Sequence, residues 1–519
     1  GWAAVNGVLR RPFECICLSV QVICWRAAAS IAWSVLLLPP TTAVFVLLSK
    51  FSLLQPIQTI SECLSLISAS SIFSFILLGG VIVMVGFLIL EYYTVIPTIA
   101  CSKIALLSQL LHPRQFINSI GHCLMGVIVG WCCAVTIGHR YKMLGRPCKI
   151  SDGYSQMCLN EHHLIFLLAG AFVGFSHSLL GVIHNINYIS FQIVQQHKYL
   201  RFKGSLPLVL KCSATQAFYS VRNYIVVYFF LGYIPKTWVC KTLNLHSVHP
   251  LDSIAVLLDL SLLYHLWISA TFLLFTWYIT LLLFRIFVTE VYTFPVQSTF
   301  TEDSHQSLPK VLTDKQPMIL KFLALQDLAL LSQHSPSRRS EVFSLSQPGG
   351  HPHNWNAISG ECLSLLAALT QRLAAYHETV ATNGRAKSLS SGKASSQALF
   401  ADSQAHIWAL EGLSYLVQAS FTEDQFGVVQ TTLPSILSSM LLLQEAVDRH
   451  FKLPHASSKP VRSTSSMEDS TYKTLRFALR ATLKTAIYRI TTTFGDHLNA
   501  VEMSAEHRKR LQQFLQYKE

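Results

Sequence analysis

Five stretches of this chain, residues 27–48, 66–90, 115–138, 164–186 and 260–284, contain no Lys, Arg, Asp or Glu. A bilayer core of about 30 Å is crossed by about 20 residues of helix rising 1.5 Å each. Each stretch meets that length, and an uncharged apolar helix of this size has few stable places other than lipid. A sixth stretch, 214–234, is apolar apart from Arg222 and Asn223. An arginine near mid-span costs roughly 2.5–3.5 kcal/mol on insertion scales. The surrounding Tyr, Val, Ile and Phe residues offset much of that, so 214–234 is read as a span. Arg222 is then an intramembrane charge reaching for a headgroup layer or a partner, with Asp259 as one candidate. The first stretch is too long for a signal-peptide core, and the expectation is an uncleaved anchor.

Charge agrees with that reading. Only 13% of residues are charged against 51% hydrophobic, where a soluble domain carries about a quarter charged. The formal net charge is +13, and residues 1–284 hold 17 Lys/Arg against 7 Asp/Glu. Basic loops between spans meet lipid phosphates or set orientation. A nucleic-acid binder would cluster its charge on a soluble face, so direct nucleic-acid binding is not expected. Six spans put both termini on one side. With a cytosolic N-terminus that side carries ten Lys/Arg against seven opposite, a weak bias that the loop from Arg140 to Lys149 opposes. Cys148 and Cys158 flank the end of that loop. In an oxidising lumen they could form a disulfide; otherwise they are two free thiols.

Within the spans, Gly126, Gly130 and Ala134 recur at four-residue spacing, as do Gly170, Gly174 and Ser178. Small-residue rows let helix backbones approach closely in lipid.

After Arg285 the pattern changes. Residues 285–315 read as a polar linker punctuated by Pro295 and Pro309. Residues 316–519 carry helical periodicity without strand alternation, interrupted by flexible linkers at 382–396 and 454–470. The fold class is therefore all-α: an N-terminal cytosolic segment (1–26), a six-span membrane domain (27–284), and a helical cytosolic C-terminal domain. In that last domain, Leu475, Leu479, Leu483, Ile487 and Ile490 form an apolar stripe beside a basic one of Lys473, Arg476, Arg480 and Lys484. Such a helix lies on an anionic membrane or docks on a partner; the alternative is a core-facing helix with a solvated basic edge.

No catalytic constellation emerges. There is no HExxH, GxSxG or P-loop, and no CxxC pair for zinc. His162 and His163 read as interfacial polar residues rather than metal ligands. No cofactor or metal is expected, and the chain is not read as an enzyme. Among the ionisable side chains only Arg222 stands at mid-membrane, so a transporter or channel with a regulatory cytosolic domain is the alternative to a scaffold.

Particular runs carry a resemblance. They include Tyr233-Ile234-Pro235-Lys236, Leu260-Ser261-Leu262-Leu263-Tyr264-His265, Leu325-Gln326-Asp327-Leu328 and Ser335-Pro336-Ser337-Arg338-Arg339. Further runs are Gly349-Gly350-His351-Pro352-His353-Asn354-Trp355, Phe421-Thr422-Glu423-Asp424, and Thr485-Ala486-Ile487-Tyr488-Arg489-Ile490. These closely resemble the vertebrate Ndc (nuclear division cycle) family of transmembrane nucleoporins, over nearly the whole chain. The resemblance implies six spans in the pore membrane of the nuclear envelope, with both termini on the cytosolic, pore-facing side. It implies a scaffold that anchors the nuclear pore complex and supports its assembly. Implied partners are an aladin-type β-propeller nucleoporin, inner-ring linker nucleoporins, other pore-membrane proteins and membrane lipids. One departure is visible: the family's long Ser/Pro-rich stretch is nearly closed here, at 382–396.

Overall fold

The computed structural model describes residues 20–50, 69–149, 155–192, 195–246, 259–297, 306–314, 316–345, 350–382, 395–453 and 471–516. Residues 1–19 of the N-terminal segment, 383–394 of the first expected flexible linker and the whole second linker, 454–470, lie outside the described residues, as does the side chain of Lys473.

A π-helical turn, Val20–Cys24, leads into α1 (Trp25–Leu36) and α2 (Leu38–Lys50). Pro39 and Pro40 fall in the first turn of α2, where fewer intrahelical donors are lost. Next come α3 (Ala69–Tyr92), the short α4 (Lys103–Leu110) and α5 (Pro113–Ile137). A two-stranded hairpin, β1 (Gly145–Lys149) and β2 (Ser155–Leu159), follows before α6 (Glu161–Ile183). Then α7 (Lys198–Leu231), α8 (Tyr233–Leu243) and α9 (Leu260–Val288) complete the membrane half.

Five helical segments among the described residues are long and apolar enough to cross a bilayer: Val22–Lys50, Ile72–Tyr92, Pro113–Ile137, Glu161–Ile183 and Leu260–Val288. The expected sixth span, 214–234, is not among them. It belongs to the 34-residue α7, which ends at Leu231, and Gln216, Arg222, Asn223 and several tyrosines dilute its apolar content. The count expected from sequence is corrected to five on this criterion. Even so, α7 runs alongside α9. Lys198 at its start pairs with Glu290 at 2.8 Å, and Tyr228 near its end donates to Glu161 at 3.2 Å.

The closest helix pair is α5 with α6, and the small residues are what permits it. A Cβ added at Gly126 or at Gly170 would lie 2.1 Å from the other's carbonyl oxygen. At Gly174 it would lie 2.2 Å from the His122 carbonyl, and at Gly130 2.6 Å from that of Phe166. Ala134 is fully buried. At the far end of the row Ser178 takes hydrogen bonds from Gln115 (3.0 Å) and Asn118 (3.2 Å) and lies 3.0 Å from the Ser119 hydroxyl. The two rows are therefore each other's partners.

The C-terminal half consists of α10 (Leu308–Thr313), α11 (Met318–His334), α12 (Pro336–Phe343), α13 (His353–Thr382), α14 (Ser403–Glu423), α15 (Leu433–Phe451), α16 (Thr471–Phe494) and α17 (Ala505–Leu515). α14 packs between α11 and α16, and α13 against α15. The core holds Trp355, whose indole N–H donates to Thr432 at 2.9 Å, with Leu369, Leu413, Met440 and Leu483. Helix α16 stops where Gly495 takes a positive φ of 48°, and Ser504 caps α17 through the His507 N–H.

Gly126→Leu should cost about 3 kcal/mol or more, because the new side chain meets backbone that cannot move aside. Gly80→Ala, which meets nothing within 4 Å, should be neutral. Thermal melting of the full-length protein in detergent compares them; equal melting temperatures would show that the rows do not pack as described.

Candidate functional site: the junction of membrane domain and C-terminal bundle

The candidate site is the place where the two halves of the chain are joined. Among the described residues no cluster of three or more His, Cys, Asp or Glu could hold a metal. His163 instead lies 2.6 Å from the Tyr141 carbonyl, and the His162 ring packs on the Tyr141 ring.

The junction begins where α9 leaves the membrane. Its exit carbonyls, Val288, Glu290 and Val291, receive the Arg26 guanidinium from the first span. Arg201 of α7 donates to Thr289 at 2.9 Å, and Lys198 pairs with the Glu290 carboxylate while lying over the Phe287 ring. Arg285, buried, donates to the Ile186 carbonyl after α6. Three elements of the membrane half are thus tied to one helix end. C-terminal helix carbonyls lack intrahelical donors, and cations are favoured there.

The segment that follows, residues 291–297, is docked, not free. Phe294 and Val296 are buried. The Phe294 N–H donates to Asp327 Oδ2 at 2.9 Å, and Arg338 donates to the Phe294 carbonyl at 2.6 Å. Arg338 also grips both Asp327 oxygens, at 2.9 and 2.6 Å. Asp327 has 1% of its side chain exposed, so this bidentate pair is a buried clamp closed over the exit segment. A second contact comes from the loop after α6. Phe191 stacks on Phe322 at 5.7 Å and meets Trp408 edge-on at 5.3 Å, which sets a membrane-domain side chain inside the bundle core.

Sequence reasoning did not single out Arg26, Phe191, Asp327 or Arg338 as a unit. A signal was present for Asp327. It is the one acidic residue in α11, amid a run of leucines and alanines, and a buried carboxylate demands a cation.

The other singled-out residues are placed as follows. Cys148 and Cys158 are joined in a disulfide across the β-hairpin, with Cα atoms 5.9 Å apart. Arg222 is exposed on α7. It donates to Asn223 at 3.1 Å and lies 5.2 Å over the Tyr219 ring, six residues or roughly 9 Å of helix rise from the level of Tyr228. Its candidate partner Asp259 pairs with Arg140 instead, at 2.7 Å, and that hydrogen bond holds the Asp259 carboxyl below its ordinary value. No observation here favours a conduction path.

Helix α16 faces inward. Leu475, Leu479, Leu483, Ile487 and Ile490 are buried, and so is Arg476, over the Phe477 ring. Arg480 pairs with Asp448 at 2.7 Å, and Lys484 is half-buried. The basic stripe is largely held within the bundle.

Asp327→Asn removes the charge that Arg338 is buried against and should cost about 3–5 kcal/mol. Arg449→Ala breaks the exposed pair with Glu445 and should cost under about 0.5 kcal/mol. Melting followed by Trp355 and Trp408 fluorescence distinguishes them; equal losses would show that the clamp does not hold the junction.

Comparison with known proteins agrees with this architecture. The family model described as Nucleoporin protein Ndc1-Nup matches residues 21–394 and 389–512. The chain is 51% identical to Nucleoporin NDC1 of Danio rerio over 96% of this chain and 98% of that protein. It is 44% identical to Nucleoporin NDC1 of Homo sapiens, over 96% and 97%. For Nucleoporin NDC1 of Xenopus laevis the figures are 41% identity, over 96% and 99%. The Danio rerio alignment spans 659 positions, more than the 519 of this chain, so that relative carries residues absent here. The two family matches overlap at 389–394, inside the expected linker 382–396. With both halves matched nearly end to end, the chain belongs to the Ndc1-Nup family of nucleoporins.

Proposed function

We propose that this transmembrane nucleoporin anchors the nuclear pore complex in the pore membrane and supports its assembly as a scaffold, not as an enzyme. The observation that carries the mechanism is the junction. Five apolar helices hold the chain in lipid, because extracting any one would expose about 20 apolar residues to water. The Asp327–Arg338 clamp and the Phe191 insertion then make the bundle a rigid extension of that anchor. A load on the bundle reaches the membrane helices through packed side chains rather than through a flexible tether.

The chain associates with the pore complex and its other nucleoporins. Finer assignments belong to this reading. The bundle and both termini face the pore side, where an aladin-type β-propeller nucleoporin, inner-ring linker nucleoporins and other pore-membrane proteins meet it. The hairpin bearing the Cys148–Cys158 disulfide faces the oxidising lumen. Lipids surround the spans, and no direct nucleic-acid contact is assigned.

Proximity labelling from a tag on the C-terminus of the intact protein in cells should recover nucleoporins, and the protein should stay in the pellet after an alkaline carbonate wash. Release into the supernatant would overturn the anchor. Neighbours drawn from the bulk endoplasmic reticulum membrane alone would overturn the pore assignment.

A further inference from the structure

The segment between α3 and α5 holds a helix with an apolar stripe that stands exposed among the described residues. In α4 (Lys103–Leu110) no residue is fully buried. Ala105, Leu106, Gln109 and Leu110 are half-buried, where α4 meets α5 and α6. Ile104, Leu107 and, just past the helix, Leu111 are instead 81%, 55% and 72% exposed. Positions 104, 107 and 111 follow three- and four-residue spacing and form one stripe. Three large aliphatic side chains on one face of a short helix would be unfavourable in water.

Three observations say what covers them. The stripe runs on into the lipid-facing surface of the adjoining span, where Phe116, Ile117 and Leu124 are also largely exposed. The inner side of α4 faces a cavity of about 320 Å³ whose lining brings together the polar side chains of Tyr92, Gln109, His112, Arg114 and Asn185, so this level of the protein matches the headgroup layer. Lys103, exposed, opens the helix with a positive charge at the depth of lipid phosphates, while Arg114 beyond its end is paired with Glu91 at 3.0 Å and lies over the Tyr92 ring, a polar cluster that suits the same level.

The geometry points to α4 as an interfacial helix. It lies in the plane of one leaflet, with Ile104, Leu107 and Leu111 sunk among the upper acyl carbons and Lys103 at the phosphates. Naming that leaflet as the pore-facing one rests on the orientation proposed above; the lipid contact itself does not. The contact is additional to the spans and sits on the side of the membrane from which the bundle emerges.

The test uses the full-length protein in phosphatidylcholine–phosphatidylserine vesicles, with photoreactive benzoylphenylalanine placed singly at Leu107, Leu111, Gln109 or Phe116. All four positions are at least partly exposed, so the fold should tolerate them. After irradiation, mass spectrometry should find phospholipid adducts at Leu107 and Leu111 in yields close to those at Phe116, and several-fold lower at Gln109. Adducts at Phe116 with none at Leu107 or Leu111 would overturn the interfacial helix while leaving the span intact. Cross-links between two copies of the chain at Leu107 would overturn it in favour of self-association. An absence of lipid adducts at Phe116 as well would overturn the membrane reading of α5 and this inference with it.

Discussion

Helix α9 is packed on nearly every side by its own chain, and the rest of the membrane half is arranged around it. Of the other long apolar helices α1, α3, α5 and α6 all touch it, and α7 lies along it. In lipid the tails outside a helix are as apolar as its neighbours, so close packing rather than the hydrophobic effect decides who contacts whom. α9 supplies that packing with rings and small residues together. Trp277 fits against His122 and His177, and Phe272 against Phe45. The Thr276 and Thr280 hydroxyls donate to carbonyls of the preceding turn, so they bring no unpaired donor into the core.

Both ends of α9 are tied as well. At one end Asp259 caps the Ser261 N–H and pairs with Arg140, next to the hairpin. The Tyr264 hydroxyl there donates to the Leu48 carbonyl at the end of the first span. At the other end stand Arg26, Lys198, Arg201 and Arg285. A helix fixed at both faces of the membrane and packed between them transmits position along its length. The exit segment therefore reaches Asp327 in a set position, which a buried bidentate clamp requires, since its geometry leaves little slack.

Much of this was legible from composition, and what was not has physical reasons. The five uncharged stretches announce themselves because lipid imposes one length and one chemistry on anything that crosses it. The strand pair was invisible: Gly145–Lys149 and Ser155–Leu159 are too short and too polar for alternation to show, and their pairing is local. α7 falls between two readings. Its polar residues keep it below the apolar criterion, yet it runs along α9 from Lys198 beside Glu290 at one face to Tyr228 beside Glu161 at the other, with Tyr224 and Gln216 turned to neighbouring helices. α16 allowed two readings because amphipathic periodicity says that one face is buried, not against what. The junction was hidden for a different reason: Phe294 lies 33 residues from Asp327 and 44 from Arg338, and only the lone acid in a largely buried helix hinted that a partner had to exist.

The basic residues make the same point about inference from charge. Read from sequence, the excess of Lys and Arg flanking the spans suits lipid phosphates or orientation. In the fold, several of those groups on the bundle side are already committed to protein. Arg26 holds carbonyls beyond α9, Arg285 the Ile186 carbonyl, Arg201 the Thr289 hydroxyl, and Lys198 the Glu290 carboxylate. Such residues can bias insertion while the chain is made and then staple the junction once it folds, because both roles need only a cation at that membrane face. Counting them as lipid ligands would overstate the surface charge left for phosphates. It would also miss why the charge lies beside the exit of α9, where unpaired helix carbonyls gather.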